Sequence, residues 1–225
     1  MSAIAAIVPD DRDGAAIAAS LQRLTGRSVE LVIAPAEISP AAMRNRALRR
    51  AHAPYVTFLD EPPTSSFYDA AARLLDARPE LAFVTGWGDA VPSRLDPEPR
   101  PATVKALIGR PWFGQVPTVF RHAAWHQVGG FDERLDGVEE LDLWLRLLGE
   151  DRGGLVVETP ELRHAPWGPA PPASAREPAA RRLFEKHRAL FERELEGILL
   201  ARERTVRELV DRTGALHRAL AALDR

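Results

Sequence analysis

Residues 29–60 read VELVIAPAEISPAAMRNRALRRAHAPYVTFLD, and they decide the fold class. Val29-Glu30-Leu31-Val32-Ile33 is a short β-branched run, and a buried strand explains it best. Ser39 then offers a side-chain oxygen at a helix start, with Pro40 at the first helical position, where its missing N–H costs nothing. A helix is predicted over 41–52, stopped by Pro54. Tyr55-Val56-Thr57-Phe58-Leu59, β-branched and aromatic, forms the next strand and runs into Asp60-Glu61-Pro62-Pro63. Working outward, Ala3 to Val8 is an apolar strand ending at Pro9-Asp10-Asp11-Arg12, with a helix over 15–24. A helix over 66–77 and a strand over 81–85 follow. Strands alternating with helices across short connections predict an α/β fold, a mostly parallel sheet with helices on both faces. Ligands of such sheets bind beyond the carboxyl ends of the strands, where Asp10-Asp11-Arg12, Glu37 and Asp60-Glu61 sit.

The rest of the chain is less regular. Residues 86–114 include an acidic, proline-rich loop and a short helix over 102–108. A strand over 117–120 leads to a tight turn at Gly129-Gly130. An amphipathic helix over 139–148 puts Leu141, Trp144, Leu145 and Leu148 on one face, and a last strand covers 155–157. Residues 165–173 hold four prolines, which reads as a linker or an extended strap. The chain is net negative up to residue 173 and net positive after it. We therefore divide it into a domain over 1–165, a linker over 166–178 and a long C-terminal amphipathic helix over 179–225.

In that tail, Leu195, Leu199, Val206, Leu209, Leu216, Leu220 and Leu223 follow a heptad pattern, which Arg202 and Thr213 break. A seam of this kind pairs with another chain, through residues 179–223, as a homo-oligomer or with a partner protein. The alternative is a bent helix, interrupted near Gly197 or Gly214, that packs on its own domain.

Composition bounds the function. With 225 residues the chain is long enough to bury its own core. It has no Cys, so a disulfide framework, a thiolate zinc site and a Cys nucleophile are excluded. A formal net charge of -2 argues against a nucleic-acid partner. No run has the length of a membrane span, and the apolar N-terminal stretch is too short for a signal-peptide core. A soluble, cytoplasmic protein is expected.

Two segments carry a resemblance. One is Met43-Arg44-Asn45-Arg46-Ala47-Leu48 through Phe58-Leu59-Asp60. The other is Gly129-Gly130-Phe131-Asp132-Glu133 followed by Glu139-Glu140-Leu141-Asp142-Leu143-Trp144-Leu145-Arg146-Leu147. In type, order and spacing they resemble the family-2 glycosyltransferases of the GT-A fold, over roughly residues 3–165. The resemblance implies a nucleotide-sugar domain. Such enzymes transfer a sugar from a nucleoside diphosphate to an acceptor hydroxyl, usually with inversion. It assigns Glu140 as the carboxylate base and Asp60 to the metal and donor, with His164 as a further metal ligand. Glu61, Arg44, Asn45 and Asp142 join the substrate contacts, and Trp112 stacks on an acceptor sugar, as Trp87 or Trp167 would. The implied cofactor is Mn²⁺ or Mg²⁺, which would neutralise the leaving diphosphate.

The chain also departs from that pattern. The second acidic residue of the family's Asp-x-Asp is Pro62, which has no side-chain ligand. The base position holds Glu140 in place of Asp, one methylene longer. The acidic residue after the second strand falls at Ala34-Pro35, unless Glu37 substitutes. These departures keep open a catalytically degenerate scaffold that associates through its C-terminal helix. They also keep open a metal-independent transferase in which Arg12 or Arg44 replaces the cation. Each residue has a plainer reading too. Asp60 is a turn residue, Glu140 complements the start of its helix, Glu139 and Asp142 support the turn, His164 lies in a loop, the tryptophans pack, and Arg44 and Asn45 occupy a helix surface.

Overall fold

The computed structural model describes residues 2–35, 39–87, 99–104, 107, 117–135, 137–150, 153–158 and 173–223. The strands are β1 (Ile4–Pro9), β2 (Val29–Ala34), β3 (Tyr55–Phe58), β4 (Leu81–Trp87), β5 (Arg100–Pro101), β6 (Thr118–Arg121) and β7 (Gly153–Glu158). The helices are α1 (Gly14–Thr25), α2 (Pro40–Leu48), α3 (Phe67–Ala77), α4 (His122–Gln127), α5 (Glu139–Gly149), α6 (Ala173–Lys186) and α7 (Arg188–Leu223).

The strands form one sheet in the order β2-β1-β3-β6-β4-β7-β5. Strands β1, β2, β3, β4 and β7 run in one direction, while β6 and the two-residue edge strand β5 run against them. The sheet is mostly parallel, as its alternating pattern predicts. The antiparallel β6 is wedged between β3 and β4, pairing Phe120 with Val56 on one side and Phe83 on the other.

Side-chain alternation along β1 builds the two faces. Ile4, Ala6 and Val8 pack with Ile17 and Leu21 of α1 and with Phe67, Tyr68 and Leu75 of α3. Ala5 and Ile7 face the opposite layer, with Ala47 and Leu48 of α2 and Leu141 to Leu147 of α5. There the Trp144 ring stacks on Phe83 at 4.7 Å and meets Phe120 edge-on at 5.6 Å. Helix α2 starts where its cap predicts, with Ser39 accepting the Ala42 N–H at 3.1 Å. It ends at Leu48, four residues short of the predicted His52. The Glu30 carboxylate on β2 takes the His52 and Ala53 N–H groups, so these leave the helical ladder.

The tail differs from its expected form. Residues 173–178, read as linker, open α6, which carries Pro178 inside it. The helix expected from 179 onward is divided at His187, not at Gly197 or Gly214. Burial explains the division. Ala179 and Leu183 of α6 and Ile198 of α7 belong to the core, with Leu190 and Phe191 packed against it, so the chain turns at His187 to keep both segments docked. Beyond Ile198 the described part of α7 exposes Leu199, Leu200, Val206 and Val210. Among the described residues, no helix is long and apolar enough to cross a membrane. Residues 88–98 of the acidic loop, Glu37, Trp112, His164 and Trp167 lie outside the described residues, while Arg100 and Pro101, read as part of that loop, form β5.

Candidate functional site

The carboxyl edge of the sheet is where β1 and β3 end side by side, with Phe58 level with Ile7. Asp60 follows two residues after β3, half-buried, and Glu61 beside it is exposed. Both carboxylates act on the buried Tyr68 phenol of α3. Burial, and then the charges of Asp60 and Glu61, push that phenol well above its ordinary value. Both carboxylates thus lie near the start of α3.

Across the other face of the sheet, Arg44 projects from α2. Its side chain is only 4% exposed. It forms an ion pair with Glu139 and a second with Glu140 Oε1 at 3.0 Å, so it ties α2 to the first turn of α5. Its guanidinium lies over the Phe58 ring, 5.2 Å from the centroid, and 5.7 Å from that of Phe131. Phe58 is two residues before Asp60. One cation thus touches both the candidate base and the last residue of β3.

The first turn of α5 is built to hold acid. Glu139, Glu140 and Asp142 sit there, where the partial positive charge of the exposed N–H groups favours carboxylates. Gly137 (φ 88°) adopts a left-handed conformation that favours glycine, and its N–H donates to Glu139 Oε2 at 2.6 Å. Glu139 is fixed by Arg44 and this N–H together. Glu140 keeps 13% of its side chain exposed.

Asn45 is buried and holds the Gly129-Gly130-Phe131 turn. Its amide donates to the Phe131 carbonyl and to Glu133 Oε1, each at 2.9 Å. Its Oδ1 accepts from the Phe131 N–H at 2.9 Å and Trp125 Nε1 at 3.2 Å. Both amide protons and both lone pairs are used within the protein. Gly130 (φ 83°) is required at this spot, because a Cβ there would lie 3.0 Å from Asn45 Oδ1 and 3.1 Å from Trp125 Nε1. Arg44 and Asn45 are therefore interior residues, not members of a helix surface.

Asp142 is fully buried. Its Oδ1 accepts from His187 Nε2 and Lys186 Nζ, each at 2.8 Å, and Arg146 pairs with Oδ2. Lys186 and His187 lie at the α6–α7 junction, so Asp142 fastens the tail to the domain. Sequence patterns do not single out those two residues, because a lone Lys-His pair in a charged tail carries no motif. A cavity of 540 Å³ opens beside this junction, lined by Asp132, Arg134, Leu135, Arg182, Glu185 and Lys186.

Burial drives the Asp142 carboxyl upward, but hydrogen bonds from His187 and Lys186 and the charge of Arg146 outweigh it. On balance it lies below the ordinary aspartate value. A carboxylate depressed on folding stabilises the fold above its unfolded pKa of about 3.9, and that contribution is lost as pH falls through the lower folded value. Asp142→Asn is expected to flatten the pH dependence of thermal stability below about pH 4. Unfolding temperatures measured from pH 2 to 6 check this; an unaltered slope in the variant contradicts it.

Among the described residues, no group of three or more His, Cys, Asp or Glu could hold a metal. Asp60 and Glu61 are two hard oxygen donors. They suit Mg²⁺ or Mn²⁺ when substrate phosphates and water fill the other positions, which is how those ions are commonly bound.

The mostly parallel sheet with its reversed β6 is a GT-A-like fold, as the likeness to a solved glycosyltransferase bears out. No protein-family model and no curated protein matches the chain. Solved structures do. Glucosyl-3-phosphoglycerate synthase from Mycobacterium tuberculosis, in complex with Mn²⁺, UDP-glucose and phosphoglyceric acid, matches with a TM-score of 0.50 and 12% identity. That match covers 81% of this chain and 77% of that one. A mannosyltransferase from Pyrobaculum calidifontis, in complex with GDP-Man and Mn²⁺, matches at 0.46 and 14%, covering 98% and 79%.

Proposed function

We propose that this chain is a glycosyltransferase that moves a sugar from a nucleoside diphosphate to an acceptor hydroxyl, with inversion. The observation that carries this reading is the Arg44 bridge. It holds Glu140 against Phe58, the last residue of β3, which Asp60 follows by two residues. In the proposed reaction the acceptor oxygen attacks the anomeric carbon while the bond from that carbon to the diphosphate oxygen breaks. The electron pair leaves with the diphosphate, and Glu140 takes the hydroxyl proton. A single displacement inverts the anomeric centre. Arg44 holds Glu140 in position, and Glu139 keeps Arg44 in place. Asp60, with Glu61 next to it, faces the donor. A divalent cation bound there would supply charge neutralisation to the leaving group. His164 and Trp112 remain candidates on this reading, for the metal and the acceptor.

A second reading, a degenerate scaffold, is favoured by Pro62 at the second acidic position. Calorimetric titration with UDP, GDP and dTDP, with and without Mn²⁺, separates the two. Transferase function predicts that one nucleotide binds with a Kd of about 1 mM or tighter, within the usual range for enzyme substrates. Metal-dependent affinity supports the cation at Asp60, and affinity indifferent to chelator supports the metal-independent form. Failure of all three nucleotides to bind overturns the transferase reading.

A further inference from the structure

The strongest unassigned feature is the outer face of α7. The side that carries Leu190, Phe191 and Ile198 is turned to the core, yet Leu195 is 52% exposed, Leu199 59% and Val206 50%. A helix of 36 residues is about 54 Å long, too long for its inner end alone to hold it. Its apolar seam needs a cover, because helical stability comes mainly from packing such a face.

The order of residues along the seam says what covers it. Read in sequence from 195 to 220, the heptad core positions are Leu195, Leu199, Arg202, Val206, Leu209, Thr213, Leu216 and Leu220; Leu223, the last of the pattern, lies outside this block. This series is close to a palindrome about a point between residues 207 and 208. When two copies lie antiparallel about that point, Leu195 comes level with Leu220, Leu199 with Leu216 and Val206 with Leu209. The two polar interruptions, Arg202 and Thr213, come level with each other. Charge favours the same orientation. Parallel pairing sets Arg202 against its own copy at a core position and brings Arg212 beside the His217 five residues further along at the flank. Antiparallel pairing brings Glu196 beside His217 and Glu203 beside Val210 along one flank, each pair two residues out of level, with no like charges opposed.

We infer that α7 is the interface for a second copy of this chain, which binds antiparallel about a two-fold axis near Arg207. Such an axis makes the same patch serve both copies. The inference is independent of the transferase reading.

The chain has no Cys, so a single introduced thiol can be labelled without background. Arg193 and Arg207 are exposed and lie off the seam. Arg193→Cys and Arg207→Cys, each in the full chain and carrying a nitroxide, are measured by electron dipolar spectroscopy beside sedimentation equilibrium. The expected result is a dimer with a short distance, below about 30 Å, for Arg207→Cys. For Arg193→Cys the labels lie about 29 residues apart along the axis, or ~44 Å of rise. Leu199→Glu with Val206→Glu, at exposed positions, should weaken the dimer at least tenfold and leave the circular dichroism melt of the domain intact. Similar short distances from both labels indicate parallel pairing and overturn the inference. A monomer at tens of micromolar, or a dimer indifferent to the Glu substitutions, overturns it as well.

Discussion

Glu140→Gln is expected to lower kcat/KM for sugar transfer by about 10²–10⁴-fold, the range that general-base catalysis supplies. Gln is nearly isosteric and its amide oxygen can still meet Arg44, so the first turn of α5 keeps its shape. What it loses is the ability to accept the acceptor's proton. Nucleotide affinity and unfolding temperature should stay close to those of the unsubstituted chain, because Glu140 is at the edge of the core with part of its side chain exposed. Glu140→Asp keeps the base and withdraws it by about one bond length, ~1.5 Å. It should retain more activity than Glu140→Gln, yet lose some, since a displacement near 1 Å costs about 100-fold. Steady-state kinetics with the nucleotide sugar selected by titration reads both variants. A Gln variant with undiminished turnover removes Glu140 from the base role.

Arg44→Ala has the largest expected effect on stability. The Arg44 side chain is 4% exposed and that of Glu139 is 6% exposed, so truncation strands a buried carboxylate. Breaking a buried pair from one side typically costs about 3–5 kcal/mol, far more than an exposed pair. The cation over the Phe58 and Phe131 rings is lost as well. Urea unfolding should show this loss. Adding Glu139→Gln to Arg44→Ala removes the stranded charge and should recover at least about 1 kcal/mol, the coupling expected of residues in direct contact. A loss under about 1 kcal/mol in the single variant, or no recovery in the double, would show that Arg44 does not hold α2 against α5.

The two substitutions probe one arrangement from opposite sides. Arg44 and Glu139 stand 95 residues apart in the chain. The Arg44 side chain meets β3, the Phe131 turn and α5 at once, so its removal reaches stability and reaction geometry together. Glu140 shares the same cation but not the same burial, so its removal reaches the chemistry. Asp142, three residues after Glu139, belongs to the attachment of the tail through Lys186 and His187. Glu140 and Asp142, two positions apart on the helix, face different partners, because two steps turn by about 200° around the axis.

Much of the architecture is legible in the order of residues. The β-branched runs, the Ser39-Pro40 helix start and the Gly129-Gly130 turn are local signals, and local periodicity is what sets a strand or a helix. The alternating order of elements is enough to predict a mostly parallel sheet with helices on both faces. The early end of α2 is not legible, since it depends on Glu30 reaching across from β2. Nor is the insertion of β6 between β3 and β4, which pairs residues far apart in the chain. The candidate site divides the same way. The strand-end position singles out Asp60 and the family resemblance Arg44, Asn45 and Glu140, but their burial and partners come from packing. The sequence alone determined which segments are strands and helices and which residues can carry charge chemistry, because those properties reside in short stretches of chain. Only the tertiary structure decided that Arg44 would bridge α2 to α5 and that Asp142 would fasten the tail, because such pairs form only when the folded sheet brings distant segments together.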